Sequence, residues 1–508
     1  MEHIGILGGG TSGYLTALSL EKLMPNTKVT VIESSRIPVL GVGESTTPKL
    51  LRMLHDLLGL DLGEFYREVK PTWKHGVRYL WGDKKNSFTN NSLGFISPFL
   101  SVDIVDDINY NSLNSVLINH EKSFMIRTGN PEKPYKSFAL PHSYAYHLDN
   151  KRLSSYLKRK AEERGIQVLD TKIEAAEIDE KGHIDHLVND QGETFIFDFY
   201  VDCSGFRSML LGKTLQTPFE SFKSSLFTDS AIVGNAKHNG IIKPYTEART
   251  MKNGWQWNIP MHDEDHLGYI YSSSFSSSDD AEKEFRELNP GLGEVKTLKF
   301  KSGRHEKFIV KNVAAVGNSY GFIEALQSTA LHMVITNVYA LVLHLKSLEK
   351  GNDISSDINE NLGEIWDKLR WFIAMQFKYN KRSQSDFWRT CNREADVSGL
   401  EELIHLYQEN GPLHEVKAAF SQVQEAEQHQ IYGLFSHDFM LLVMGFWPKK
   451  LPYSITEKDK VYWRKRYALW DQLAGKALYQ HEILKHVEVY PEIIEFDKFF
   501  ETPFLLDG

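Results

Sequence analysis

Apolar residues in the first forty positions fall into short runs separated by glycine or polar punctuation. Residues 3–7 form an apolar run of strand length, and a glycine-rich stretch occupies 8–13. Apolar positions at helical spacing then run from about residue 13 to Leu23, and a second apolar strand spans 28–32, ending at Glu33. Strand, glycine turn, amphipathic helix and strand are the ordered parts of a βαβ unit. Two later segments, FYVDCSGFRS at 199–208 and NVAAVGNSYGF at 312–322, each begin as an apolar strand and enter a small-residue turn. Each reads as a strand returning to the first sheet after an excursion, and the second is expected to continue into a helix. Between them 228–235, 254–260 and 267–273 are strand-like and predict a second sheet layer within about 222–300.

Residues 150–164 predict a charged helix before a strand at 167–170, and 173–198 reads as short strands around a Gly182 turn. Residues 83–92 read as a polar surface loop. Helical patterns dominate from about 356, with candidates at 359–380, 400–409, 412–429, 458–474 and 475–486. The tripeptide Gly351-Asn352-Asp353 is a plausible boundary, dividing the chain into 1–350 and a helical 351–508. The most apolar long stretch, 329–345, contains Thr329, His332, Thr336, Asn337 and His344, so it predicts a buried helix and not a membrane span.

Composition narrows the function classes. The chain has 508 residues, 41% hydrophobic and 25% charged, as expected of a globular enzyme with more than one domain or a fused large unit. A net charge of −9 argues against a general nucleic-acid binder. Cys203 and Cys391 are the only cysteines, so neither a disulfide framework nor a cysteine-rich metal site is available. The histidines are not spaced like a metal site, and no metal is expected. The chain starts directly in a strand, which leaves no room for a cleaved leader and predicts a reducing cytoplasm.

Chemistry appears first in the opening unit. Gly8, Gly10 and Gly13 stand at the G-x-G-x-x-G positions, with Thr11 and Ser12 between them. Such glycines let the backbone approach a pyrophosphate, and the N-terminus of the following helix faces its charge. Glu33, twenty residues past Gly13, would accept from a ribose hydroxyl. The unit does not distinguish FAD from NAD; the two returning strands favour FAD, with Gly317 in the turn of the second. The most distinctive stretch is Gly254-Trp255-Gln256-Trp257-Asn258-Ile259-Pro260. On a strand, Trp255, Trp257 and Ile259 project from one face before Pro260 ends it. The pair reads either as a cross-strand core patch or as a stiff aromatic wall.

These pieces together resemble the flavin-dependent halogenases of the tryptophan-halogenase type. The matching segments are GGGTSG at 8–13, GVGESTTP at 41–48, TWKHG at 72–76, DCSGFRS at 202–208, GWQWNIP at 254–260, GYIYSSSF at 268–275 and GFIEALQSTALH at 321–332. KRSQSDFWR at 381–389 is a looser match. The resemblance covers residues 1 to about 390. It implies an α/β fold: an FAD-binding, monooxygenase-type, Rossmann-like module with an inserted β-sheet layer and a helical C-terminal region on the substrate side.

The resemblance also implies an activity. In the family, reduced FAD (FADH2) and oxygen give a flavin hydroperoxide, a halide (chloride, bromide or iodide) attacks it, and hypohalous acid travels through a tunnel to a lysine beside an aromatic substrate. Lys74 matches that lysine. A lysine flanked by Trp73 and Trp81 is also a candidate for desolvation, which favours a nucleophilic amine. Trp255, Trp257, Ile259 and Pro260 match the tunnel. Gly43 and Ser45, with Gly41 and Thr46, match a flavin-responsive loop. Thr329 and Ala330 match the halide site, where the family commonly has glycine in place of Ala330 and often has proline at Ala325.

Gln327 departs from the family, which carries a glutamate there in an LEST stretch. A glutamine cannot act as a base and can only orient by hydrogen bonding. Glu324 matches a different family position. Electron-rich rings of phenol or indole type are therefore expected, with bromide or iodide favoured. A separate flavin reductase is the implied partner, since no NAD(P)H site is evident. Nucleic acid and membrane are not expected partners, and a homo-oligomer is left open. The other readings are a flavin monooxygenase and a non-catalytic flavin-binding protein.

Overall fold

The central strands of the first sheet are covered on both faces, which is why they read as near-continuous hydrophobic runs. In the computed structural model, which describes residues 1–37, 43–82, 94–99, 108–139, 143–238, 240–428, 431–450 and 456–494, the sheet has six strands. Their order is Gln167–Asp170, Lys28–Glu33, His3–Leu7, Phe199–Asp202, Val313–Ala315 and Ile309–Val310. All neighbours are parallel except the last pair. Both returning strands therefore flank the opening βαβ unit on one side. The helix Thr11–Leu23 follows the glycine turn directly and buries most of its first ten residues. After Val313–Ala315 the helix is delayed: a short 3₁₀ turn and the strand Gly321–Phe322 precede Ala330–Glu349.

A second sheet has seven strands. Its order is Leu292–Lys299, Ser230–Ala236, Asp265–Tyr271, Gly254–Pro260, Thr246–Met251, Gly76–Leu80 and Phe95–Pro98. The layer read within 222–300 thus takes in two strands from much earlier in the chain. GWQWNIP runs near the middle, paired antiparallel on both sides. A third, small sheet joins Gly43–Ser45, Ala145–Asp149 and Thr72–Lys74, with Ala145–Asp149 in the centre. Its register sets His147 between Ser45 on one side and Thr72 on the other.

The segment Leu326–Glu349 is long and apolar enough to cross a membrane by length and composition alone, yet two thirds of its most apolar window is buried within the protein (67%). Later helices follow the sequence pattern with two differences. The expected helix over 412–429 is broken into Leu413–Val416, a 3₁₀ turn and Ser421–Glu427, because Phe420 is extended and packs against the core; position 429 lies outside the described residues. The break expected at Gly475 falls later. Glu457–Lys476 continues through it, and Ala477 then leaves the helix to bridge Ile126 before Gln480–Val489 begins. Gly41 and the polar stretch 83–92 also lie outside the described residues.

Candidate active site

A cavity of about 890 Å³ opens between the two large sheets. One end is lined by the glycine turn at Gly8 and Gly10, by Thr11 and Ser12, and by Glu33; the other is lined by Trp255, Trp257 and Ile259. The glycines divide by task. A β-carbon on Gly8, whose φ is +127°, would sit 2.2 Å from the Cys203 carbonyl oxygen, and one on Gly13 would sit 1.9 Å from the Gly8 carbonyl oxygen. These two hold backbone against backbone. A β-carbon on Gly10 would meet no atom of the described residues within 4 Å, so among them this position faces open space.

The helix starting at Thr11 has no side-chain cap, which leaves its N–H groups aimed at that space. Glu33 is fixed by Tyr14 Oη (2.7 Å) and Lys158 Nζ (2.5 Å), and a carboxylate retains acceptor capacity beyond those two bonds. An uncapped helix N-terminus, an open glycine and a fixed carboxylate fit a dinucleotide. Gly317 has φ +69°, and a β-carbon on it would sit 2.6 Å from Ser12 Oγ, so this glycine supports the turn from behind. It does not line the cavity, whereas the neighbouring Asn318 does.

Glu44, beside Gly43 on the cavity wall, is half-buried and accepts from Asn150 Nδ2 at 2.9 Å. Burial pushes its carboxyl up to about 7, partly opposed by the Asn150 hydrogen bond.

The tryptophan pair shares one face, as alternation on a strand requires. The ring centroids are 6.0 Å apart and the planes cross at 57°. Trp257 lies flat over the adjacent strand, where only glycine leaves room: a β-carbon on Gly268 would be 1.9 Å from the indole. Trp255 Nε1 donates to Glu324 Oε1 at 2.8 Å, and the Leu326 N–H donates to Glu324 Oε2 at 2.6 Å. Burial pushes the Glu324 carboxyl up to about 7. Pro260 does not line the cavity; its carbonyl accepts from Thr72 Oγ1.

Lys74 lies outside the cavity lining and is 1% exposed. Its Nζ donates to the Thr46 carbonyl oxygen at 2.8 Å and to Ser328 Oγ at 2.9 Å, and lies 5.0 Å from the centroid of the Phe99 ring. Burial, with no carboxylate partner among the described residues, holds its pKa well below the ordinary lysine value. Ser328 and Ser45 line the cavity and stand between it and the lysine.

The turn carrying Gln327 and Ser328 is left-handed at both residues, φ 72° and 59°. Consecutive non-glycine residues in this region cost on the order of 1–2 kcal/mol each and persist only where surroundings fix them. Gln327 is held from both ends: Nε2 donates to Gln376 Oε1 at 2.9 Å, and its carbonyl accepts from Tyr432 Oη at 2.7 Å. The turn delivers Thr329 and Ala330 to the start of the helix Ala330–Glu349, which also lacks a side-chain cap. Both residues line the cavity. His332, half-buried on that helix, meets Thr47 Oγ1 at 3.1 Å through Nδ1.

The structure thus groups Trp255, Trp257, Ile259, Thr329, Ala330 and Gln327 along the cavity, with Lys74 behind Ser328. Sequence reading missed Ser328, Thr246 and His147. Ser328 sat unassigned inside a matched motif, and the other two carry no local signal.

An FAD-type Rossmann sheet facing a tryptophan-walled sheet, with a buried lysine beyond, defines a class of enzyme, and comparison with known proteins gives the family. The tryptophan halogenase family profile matches residues 3–457. Tryptophan 7-halogenase RebH of Lentzea aerocolonigenes is 28% identical over 490 residues, covering 90% of this chain and 89% of its own. Tryptophan 6-halogenase ThaL of Streptomyces albogriseolus is 27% identical over 484 residues, covering 90% and 88%. Among solved structures, MibH, a "lathipeptide tryptophan 5-halogenase", superimposes with a TM-score of 0.89 at 36% identity, covering 98% of this chain and 96% of that one. BrvH, a flavin-dependent halogenase from Brevundimonas sp. BAL3, gives a TM-score of 0.80 at 25% identity, with coverage of 96% and 99%. The chain belongs to the tryptophan halogenase family and is a flavin-dependent halogenase.

Proposed function

We propose that this enzyme passes hypohalous acid from the cavity to Lys74 and there halogenates an electron-rich aromatic ring. Reduced FAD, when bound, supplies the reduction of oxygen that converts halide to hypohalous acid. The carrying observation is the placement of a buried amine behind the wall of a cavity whose far end is a dinucleotide cradle. Gly8, Gly10, Gly13, Thr11, Ser12 and Glu33 would hold the cofactor, with Gly43 and Ser45 shaping the wall around it and Gly317 bracing the glycine turn from behind. Thr329 and Ala330 would offer backbone N–H groups to the halide at an uncapped helix start. Trp255, Trp257 and Ile259 exclude the organic substrate from the cofactor end, and Pro260 fixes the end of that strand. Lys74 holds the oxidant beside the ring by hydrogen bond or as a haloamine.

Gln327 cannot remove a ring proton, so rings that need little help are favoured: indoles first, given what the relatives are named for, then phenols, with bromide or iodide over chloride. A separate reductase supplies the FADH2. The test is a panel of indoles, phenols and anilines with each halide and a flavin reductase, read by product mass. Addition of oxygen in place of halogen throughout the panel overturns the proposal.

Trp257→Ala is expected to raise hydrogen peroxide released per NADH consumed by the coupled reductase, because the wall opens. Loss of a buried tryptophan costs roughly 3–5 kcal/mol, so the melting temperature is measured alongside. Wild-type coupling in the folded variant would reduce the pair to core packing.

Gln327→Glu places a carboxylate against Gln376 Oε1, which must turn its amide to donate. The rate on a weakly activated ring is expected to rise relative to that on a phenol. An unchanged ratio in a folded variant would mean that position 327 does not govern proton removal.

A further inference from the structure

Lys74 is the first member of a line of hydrogen bonds that runs along the cavity wall and ends on a buried histidine. The line passes through Ser328 Oγ (2.9 Å), Ser45 Oγ (2.9 Å), Thr246 Oγ1 (2.6 Å) and His147 Nε2 (2.9 Å). On the other side of the imidazole, Nδ1 lies 3.2 Å from Thr72 Oγ1, whose proton is donated to the Pro260 carbonyl oxygen at 2.6 Å. The geometry comes from the small sheet: Ser45, His147 and Thr72 are register neighbours on three adjacent strands, and Lys74 is two residues beyond Thr72 on the same face. Lys74, His147 and Thr72 are essentially inaccessible to solvent.

The direction of every bond is fixed by elimination. Thr72 has one hydroxyl proton, and a carbonyl can only accept it, so toward His147 Thr72 accepts. His147 therefore carries its proton on Nδ1, and Nε2 is an acceptor. Thr246 must donate to Nε2, Ser45 to Thr246, Ser328 to Ser45 and Lys74 to Ser328. All four links from amine to imidazole point the same way, which is the arrangement a proton relay requires.

We infer that His147 is the proton acceptor for Lys74, reached through Ser328, Ser45 and Thr246, and that it returns the lysine to the neutral amine in each turnover. The inference rests on the reading of Lys74 as the halogen-transfer amine. In the step, the Lys74 ammonium gives one proton to Ser328, Ser328 gives its own to Ser45, Ser45 to Thr246, and Thr246 to His147 Nε2. The products are a neutral amine, three intact hydroxyls and an imidazolium. Charge is conserved, and the imidazole is reset for the next turnover when it returns the proton through Thr246, which lines the cavity, to water there.

Charge on either end disfavours charge on the other: the lysine is among the causes that hold His147 below the ordinary histidine value, after burial itself, and His75 adds to it. The arrangement supplies a base where Gln327 provides none, and His147 acts on substrate only through Lys74, as a positioning residue.

The test has a spectroscopic and a kinetic arm. In ¹⁵N NMR of histidine-labelled enzyme, the His147 signals, assigned by their loss in His147→Gln, should report a neutral ring protonated on Nδ1. A ring protonated on Nε2 overturns the relay. Thr246→Val keeps the side-chain shape and removes the hydroxyl link. In this variant and in His147→Gln, kcat for halogenation should fall roughly 10–100-fold. KM for the aromatic substrate should stay within about twofold.

Wild-type kcat in Thr246→Val overturns the relay even if His147→Gln does not fold. Lys74→Met, run beside them, separates the two claims. Lost activity there with wild-type rates in the relay variants removes only His147, whereas retained activity in Lys74→Met removes the lysine reading itself.

Discussion

Lys74→Ala is expected to lose aromatic halogenation by at least roughly 100-fold, the scale on which a positioned reactive group acts. Flavin affinity should be unchanged, since Lys74 does not line the cavity. NADH consumption through the coupled reductase should continue, with the oxidant appearing as hydrogen peroxide or escaping to bulk halogenation. Alanine leaves a void and strips the Thr46 carbonyl and Ser328 of a donor, so some stability is lost.

Lys74→Met separates chemistry from packing. It fills most of the volume and removes a group whose charged form the fold disfavours. The sign follows from the depressed pKa: at neutral pH the unfolded chain binds a proton on this lysine more readily than the folded one, and that penalty disappears with the amine. Lys74→Met is therefore expected to melt no lower than the wild type while matching Lys74→Ala in lost product. Product rates are read by chromatography and mass. Wild-type rates in both variants would show that diffusing hypohalous acid does the chemistry.

Local patterns made much of this arrangement legible in the sequence. The first sheet could be read because parallel strands buried on both faces are apolar throughout and end in glycine or small-residue turns, as at Gly8 and Cys203. Trp255 and Trp257 could be placed on one face because strand alternation is a property of the backbone alone.

What the sequence hid are meetings between distant strands. Ser45, Thr72, His147, Thr246 and Ser328 come from five separate segments and touch only because of the register of the small sheet and its contact with the second one. A histidine inside an apolar strand such as Ala145–Asp149 carries no mark of which hydroxyls will face it. The recruitment of Gly76–Leu80 and Phe95–Pro98 into the second sheet was hidden for the same reason. So was the extension of the helix past Gly475, which a bridge to Ile126 at Ala477 decides.

Gly10→Glu is expected to abolish flavin binding without unfolding the protein. The three glycines of the turn look alike in sequence but differ in what surrounds them. Substitution at Gly8 or Gly13 drives a β-carbon into a carbonyl oxygen at 2.2 Å or 1.9 Å, so those variants would fail through the fold. At Gly10 an added β-carbon meets no atom of the described residues within 4 Å, and the position lines the cavity. The melting temperature of the protein without cofactor should therefore stay close to that of the wild type.

The same side chain then occupies the approach of the pyrophosphate and sets a carboxylate beside it. Two like charges about 4 Å apart repel by roughly 4 kcal/mol near a protein surface. Since about 1.4 kcal/mol is a tenfold change in affinity, a loss of more than roughly 100-fold is expected even if the loop relaxes. Gly10→Ala adds one methyl and no charge, so its loss should be much smaller. Titration of FAD against all three proteins, followed by flavin fluorescence, measures this order. Equal affinity in Gly10→Glu and wild type would mean that the glycine turn at 8–13 is not where the cofactor's phosphates bind, and the division of labour among its glycines would then be purely structural.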